Sequence, residues 1–81
     1  MEQNEVIHEL KILPQYYNDV IKGIKKFELR KDDRGYKVGD FILLKEYDNK
    51  YTGREILLRV IYILRNCETY GLKEGYCILG F

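Results

Sequence analysis

Tryptophan is absent from this 81-residue chain, histidine, proline and methionine occur once each, and cysteine occurs twice. Each shortage removes a class of explanation. Cys67 and Cys77 lie ten residues apart with no Cys or His cluster beside them, a pattern that supports neither a zinc site nor a disulfide framework. With a single histidine, no metal and no other cofactor is expected. Cys77, inside Tyr76-Cys77-Ile78-Leu79, reads as a small buried hydrophobe. No apolar run approaches the ~20 residues of a membrane span, and the N-terminus lacks a signal-peptide pattern. The expected setting is the reducing cytoplasm, with no membrane partner.

What is present fits one small globular domain. Apolar residues make up 46% and charged residues 33% of the chain, the balance of a folded rather than a disordered segment. Eighty-one residues are too few for two hydrophobic cores. The expectation is therefore a polar tail over 1–5 and a single domain over 6–81, monomeric, with a stability of about 5 kcal/mol. Net charge is only +1, but Lys22 to Lys37 holds seven basic residues against three acidic ones. A local positive patch on a nearly neutral chain fits an anionic partner, and equally a solvated connection.

From Val6 the chain alternates, His8, Leu10 and Ile12 sharing one face, as in a half-buried strand. Pro14 suits a first helical turn. Tyr17, Val20, Ile21 and Ile24 recur at helical spacing, which predicts a short helix over 14–22 with Gly23 just past its end. Phe27 and Leu29 alternate with Lys26, Glu28 and Arg30, a second strand with one hydrophobic and one charged face. Val38-Gly39-Asp40 bends into a third strand over 41–47, the polar cluster 48–53 closes a hairpin, and 54–64 reads as one long fourth strand. A last short strand covers 75–81. The prediction is a mainly β (α+β) fold, a small closed or partly closed barrel of about five or six strands with one short N-terminal helix, since closure removes exposed edges.

Gly23-Ile24-Lys25-Lys26-Phe27-Glu28-Leu29-Arg30 stands out. A glycine that ends a helix, followed by charges at a strand start, brings Lys25, Glu28 and Arg30 together at the open end of a sheet. Such a cluster suits an anion or a nucleobase; the plain alternative is a surface ion network contributing roughly 0–1 kcal/mol. His8 shares its face with Leu10 and Ile12, as a core histidine does, or as one does that opens onto a pocket near Lys25 and Glu28. Eight tyrosines, including Tyr51, are interleaved with Arg34, Lys50 and Arg54, a combination that can stack bases and contact phosphates.

Gly-x-Lys-x-x-Glu-x-Arg after a short helix resembles the signature of the ASCH domains, a branch of the PUA-like superfamily. The blocks His8-Glu9-Leu10-Lys11-Ile12-Leu13-Pro14, Phe27-Glu28-Leu29-Arg30-Lys31, Val38-Gly39-Asp40, Tyr51-Thr52-Gly53-Arg54 and Gly71-Leu72 to Gly75-Tyr76 resemble small bacterial and phage PUA-like proteins. The resemblance implies a PUA-like pseudo-barrel with a cleft beside the helix, lined by this motif, and binding of RNA or of a nucleotide or nucleoside. The motif makes Lys25, Glu28 and Arg30 the expected ligand-binding residues, and the strand-face and aromatic patterns add His8, Arg34, Tyr51 and Arg54. Some relatives resemble amidohydrolases of acylated nucleosides that use a motif lysine, a nearby threonine and a glutamate from a later strand, which makes Lys25, Glu28 and His8 the catalytic candidates here. Glu28 stands where the threonine is expected, and this favours recognition over turnover; Glu46 and Glu55 are both candidates for the later glutamate. A protein-interaction domain is the third reading.

Overall fold

A computed structural model describes residues 5–81; the first four residues of the expected polar tail lie outside it. The strands are β1 (Ile7–Ile12), β2 (Phe27–Lys31), β3 (Phe41–Tyr47), β4 (Tyr51–Arg59), β5 (Tyr62–Leu64) and β6 (Tyr76–Gly80), with one helix, α1 (Pro14–Ile21), and a 3-10 turn at Glu68–Tyr70. They form two three-stranded sheets: sheet A in the order β1-β3-β4 and sheet B in the order β2-β6-β5. The number of strands and the helix match the sequence pattern. The closed barrel does not form.

Two features keep the sheets apart. The stretch 54–64, expected as one strand, is split: Val60 exchanges backbone hydrogen bonds with Gly39 and Asp40, whereas the amide of Ile61 donates to Gly80. The chain thus leaves sheet A and enters sheet B between these two residues. The run Ile56 to Leu64 is apolar throughout except for Arg59, so its periodicity carries no sign of the break. In addition, β1 pairs in parallel with β3 but not with β2. Two of its free edge carbonyls are met by side chains: Arg34 donates to the Glu9 carbonyl at 2.7 Å and Arg30 to the Lys11 carbonyl.

The core lies between the sheets and under the helix. Leu10 and Ile12 of β1, Ile42 and Leu44 of β3, Cys77 and Leu79 of β6, and Tyr17 and Val20 of α1 are buried with Tyr36 and Val60. Strand alternation produces this directly, because Leu10 and Leu44 are register partners on the inner face of sheet A. Cys77 is a buried free thiol, and burial raises its pKa. The helix closes with Gly23 at φ +76°; the amides of Gly23 and Ile24 donate to the carbonyls of Val20 and Asp19. This left-handed terminus favours glycine, and it delivers Lys25 to the foot of β2, where its amide also bonds Asp19.

β2 reverses the usual assignment of faces. Its alternation is as expected, but Glu28 faces the interior at 5% exposure, while Phe27 and Leu29 face outward at 48% and 56%. On the inner side of sheet B, Glu28 is the register partner of Leu79, and Arg30 of Cys77. On the outer side, Phe27, Leu29, Ile78, Tyr62 and Leu64 form apolar rows. That side also carries a cavity of about 560 Å³, lined by Leu29, Leu64, Leu72 and Ile78 among others. The cavity lies on the opposite face of β2 from Glu28.

Candidate functional site

Three buried polar side chains sit within the otherwise apolar interior: His8, Glu28 and Glu46. Each is held by polar partners, and among the described residues no buried side-chain polar atom is left without a hydrogen bond.

Glu28 is the most heavily engaged. Lys25 donates to Oε1, and the Nε and Nη2 atoms of Arg30 approach Oε2 at 3.1 and 2.9 Å. Lys25 also donates to the Phe27 carbonyl at 2.6 Å, and its ammonium lies 5.6 Å from the Tyr16 ring centroid. A carboxylate buried without partners would cost several kcal/mol. Two cations offset that cost and leave the cluster with a surplus positive charge at its solvent side, where Lys25 and Arg30 are 15% and 23% exposed.

Glu46 forms a second cluster on β3 of sheet A. It is 4% exposed, accepts a hydrogen bond from the Thr52 hydroxyl at 2.7 Å, and lies 3.6 Å from Arg54. The Arg54 guanidinium stacks 4.6 Å from the Tyr17 ring and donates to the Asn18 side chain at 3.3 Å. The two clusters are neighbours. Ile12 is the register partner of Glu46, and Arg30 reaches the carbonyl of the preceding residue, Lys11. Helix residues 16–18 run between them, with Lys25 over Tyr16 and Arg54 over Tyr17. Together they form a polar rim around the start of α1, carrying two buried carboxylates and three cations.

Lys25, Glu28 and Arg30 therefore converge as the spacing suggests, and Arg54 joins the same rim. His8 does not. Its Nε2 lies 2.9 Å from Asp40 and its ring packs edge-on against Tyr36 at 4.7 Å, three residues along β1 from Lys11, or ~10 Å of strand. Arg34 caps the Glu9 carbonyl, and Tyr51 faces the outer side of sheet A against Tyr47. Among the later glutamates, Glu46 points inward and Glu55 outward. Sequence parity did not contain that distinction, because both faces of β3 are apolar: Ile42 and Leu44 accompany Glu46, while Phe41, Leu43 and Tyr47 occupy the other side. Thr52 and Asp40 carried no signal either. Among the described residues, no group of three or more metal-ligating side chains converges, and no helix is long and apolar enough to cross a membrane.

The Asp40 pair predicts a pH effect. Burial alone would raise the Asp40 carboxyl, but hydrogen bonds from His8 and the Lys37 amide, with the charges on those residues, bring it below its ordinary value. A folded-state pKa below the unfolded one adds stability that is present above the ordinary aspartate value of about 3.9 and is lost as pH falls through the depressed folded value. Asp40→Asn is expected to flatten the acid limb of stability against pH, checked by urea unfolding from pH 7 down to pH 2. An unchanged acid limb would remove Asp40 from the account.

Comparison with known proteins adds two findings. Residues 7–81 match the family model described as a domain of unknown function, DUF3850. A stretch of 55 residues is 40% identical to the "Uncharacterized 12.9 kDa protein in GpA 3′region" of Escherichia phage P2, covering 67% of this chain and 50% of that protein. The chain thus spans about half the length of the curated relative it matches.

Proposed function

The chain belongs to the DUF3850 family, and we propose that it is a nucleotide-recognition module of the ASCH, PUA-like kind, taking a nucleotide or a nucleotide within RNA at the polar rim beside α1. In this reading, Glu28 accepts from base or ribose donors, Lys25 and Arg30 contact an anionic oxygen, and Arg54 supplies a cation on the opposite side of Tyr16 and Tyr17.

The observation that carries the reading is the reversed β2. Turning Phe27 and Leu29 out and Glu28 in forgoes about half the burial of two large apolar side chains, each worth roughly 1.5–3 kcal/mol when complete. It also places a carboxylate between Leu79 and the helix. A one-residue slip would reverse the faces. Local arrangements that work against stability concentrate at functional sites, and an inward carboxylate fixed by two cations is a preorganised recognition element.

The test is a titration with the four ribonucleoside monophosphates at low salt, followed by amide chemical shifts. Shifts are expected at Lys25, Glu28, Arg30 and Arg54, and binding should weaken as salt screens the cations. Lys25→Ala with Arg30→Ala should reduce affinity at least tenfold, since a charge-assisted hydrogen bond contributes about 1.5–3 kcal/mol. Absence of shifts at low salt, or equal binding by the double variant, would overturn the proposal.

A further inference from the structure

The outer face of sheet A plays no part in the rim, and it adds charged and tyrosine side chains to its apolar ones. We propose that it is a separate surface for single-stranded nucleic acid, with Tyr47 and Tyr51 as stacking platforms and Lys11, Lys45 and Arg59 as phosphate contacts.

The placement follows from register. Lys11 and Lys45 are direct partners across β1 and β3, and Tyr47 and Tyr51 are partners across β3 and β4 beyond the irregularity between Lys45 and Tyr47. Strand alternation turns all four outward. The two tyrosine rings meet edge to face, with centroids 5.1 Å apart and planes at 79°. The Lys11 ammonium lies 4.3 Å from the Tyr47 centroid and 5.7 Å from that of Tyr51, while Lys45 lies 4.8 Å from Tyr51. At the far end of the same face, Arg59 sits 5.3 Å from the Phe41 ring.

This is the chemistry that single strands require. An aromatic ring accepts any base on its π-face, and a cation at the ring takes the adjoining phosphate, so binding is strong without base reading. From Phe41 to Tyr47 the strand spans ~20 Å, and sheets that stack two or three bases in this way recur among RNA-recognition folds. Glu9 and Glu55 lie on the same face, but three cations outnumber them, and the Glu9–Lys45 pair is a solvent-side contact at 3.2 Å. Such pairs contribute little, so Lys45 can leave Glu9 for a phosphate. Tyr51 is 50% exposed, leaving ring surface available. Ile7, Phe41, Leu43 and Leu57 share this face, but charged side chains flank them on both ends, unlike the apolar rows of sheet B. The inference is independent of the rim, although Lys11 touches both: its carbonyl caps Arg30 and its ammonium belongs to the outer face.

The experiment uses fluorescein-labelled octamers of uridine and of deoxythymidine, titrated by anisotropy at low salt. Both should bind with similar affinity, since neither stacking nor phosphate contact reads the 2′-hydroxyl. Tyr47→Ala with Tyr51→Ala is expected to weaken binding about tenfold or more, while Tyr47→Phe with Tyr51→Phe retains it. Lys11→Gln with Lys45→Gln should lower the slope of log affinity against log salt by about 1.4, or ~0.7 per phosphate contact. These lysines are outside the core, so this pair remains decisive if the alanine pair fails to fold. Mononucleotide shifts at Lys25 and Glu28 should be unchanged in every one of these variants, which separates failure of this surface from failure of the rim. No octamer binding by the parent protein, octamer binding unaffected by both the alanine and glutamine pairs, or binding of a polyglutamate peptide in preference to the octamers would each overturn the proposal.

Discussion

Glu28→Ala is expected to destabilise the domain by about 3 kcal/mol, the lower end of what is lost when one partner of a buried ion pair is removed, because Lys25 and Arg30 retain some contact with water. For a domain of this size that is a fall in melting temperature on the order of 15 °C. The measurement is thermal or urea unfolding monitored by circular dichroism. A loss below about 1 kcal/mol would mean that the cluster is solvated and the carboxylate is not a buried anchor. The informative companion is the triple change Lys25→Met, Glu28→Leu and Arg30→Met. Replacing a buried ionic group by apolar side chains of similar volume is often neutral or stabilising. The triple variant should therefore recover most of the stability lost in Glu28→Ala while losing nucleotide binding altogether. Recovery of stability with binding intact would return these residues to a purely structural role.

Leu44→Ala is the second large expected effect, at about 3–4 kcal/mol, within the range for emptying a fully buried leucine site. Leu44 is 0% exposed on the central strand of sheet A, between Leu10 and Ile56, so the cavity cannot collapse onto solvent. Against a total near 5 kcal/mol for a chain this small, the variant should be detectably unfolded at ambient temperature. Its neighbour supplies the control. Leu43 faces the other side of the same strand, and Leu43→Ala should cost about 1 kcal/mol or less. Equal losses at the two positions in urea unfolding would mean that the register of β3 is misassigned by one residue.

Much of this architecture was legible in the residues. The period-2 run from Val6, the proline at the helix start and the glycine past its end each specify local geometry, and each forms where the pattern places it; the hairpin turn is tighter than the expected 48–53, because β4 already begins at Tyr51. What could not be read is the relation between segments. The split near Val60 depends on which loop offers Gly39 and Asp40, and which strand end offers Gly80, to a chain that is apolar on both sides. The direction in which β2 faces was likewise hidden. Alternation shows that Glu28 and Arg30 oppose Phe27 and Leu29, but hydrophobicity alone would bury the latter pair. The observed choice is settled by one group remote in sequence, the Lys11 carbonyl that receives Arg30, together with the nearby Lys25 delivered by the helix end. His8 illustrates the same limit. Its inward face was clear from Leu10 and Ile12, but its partner Asp40 lies 32 residues away, beyond the reach of any local pattern.

The arginine caps on β1 have a consequence for how copies of this chain behave toward one another. A bare row of strand carbonyls and amides is a template on which a second molecule can lay down its own strand, and repetition of that step builds an intermolecular cross-β stack. Arg30 and Arg34 occupy the Lys11 and Glu9 carbonyls with bulky, charged side chains, which blocks in-line strand addition along that edge. Arg30 thus has two roles, neutralising the buried Glu28 carboxylate and shielding the strand edge, whereas Arg34 serves the edge.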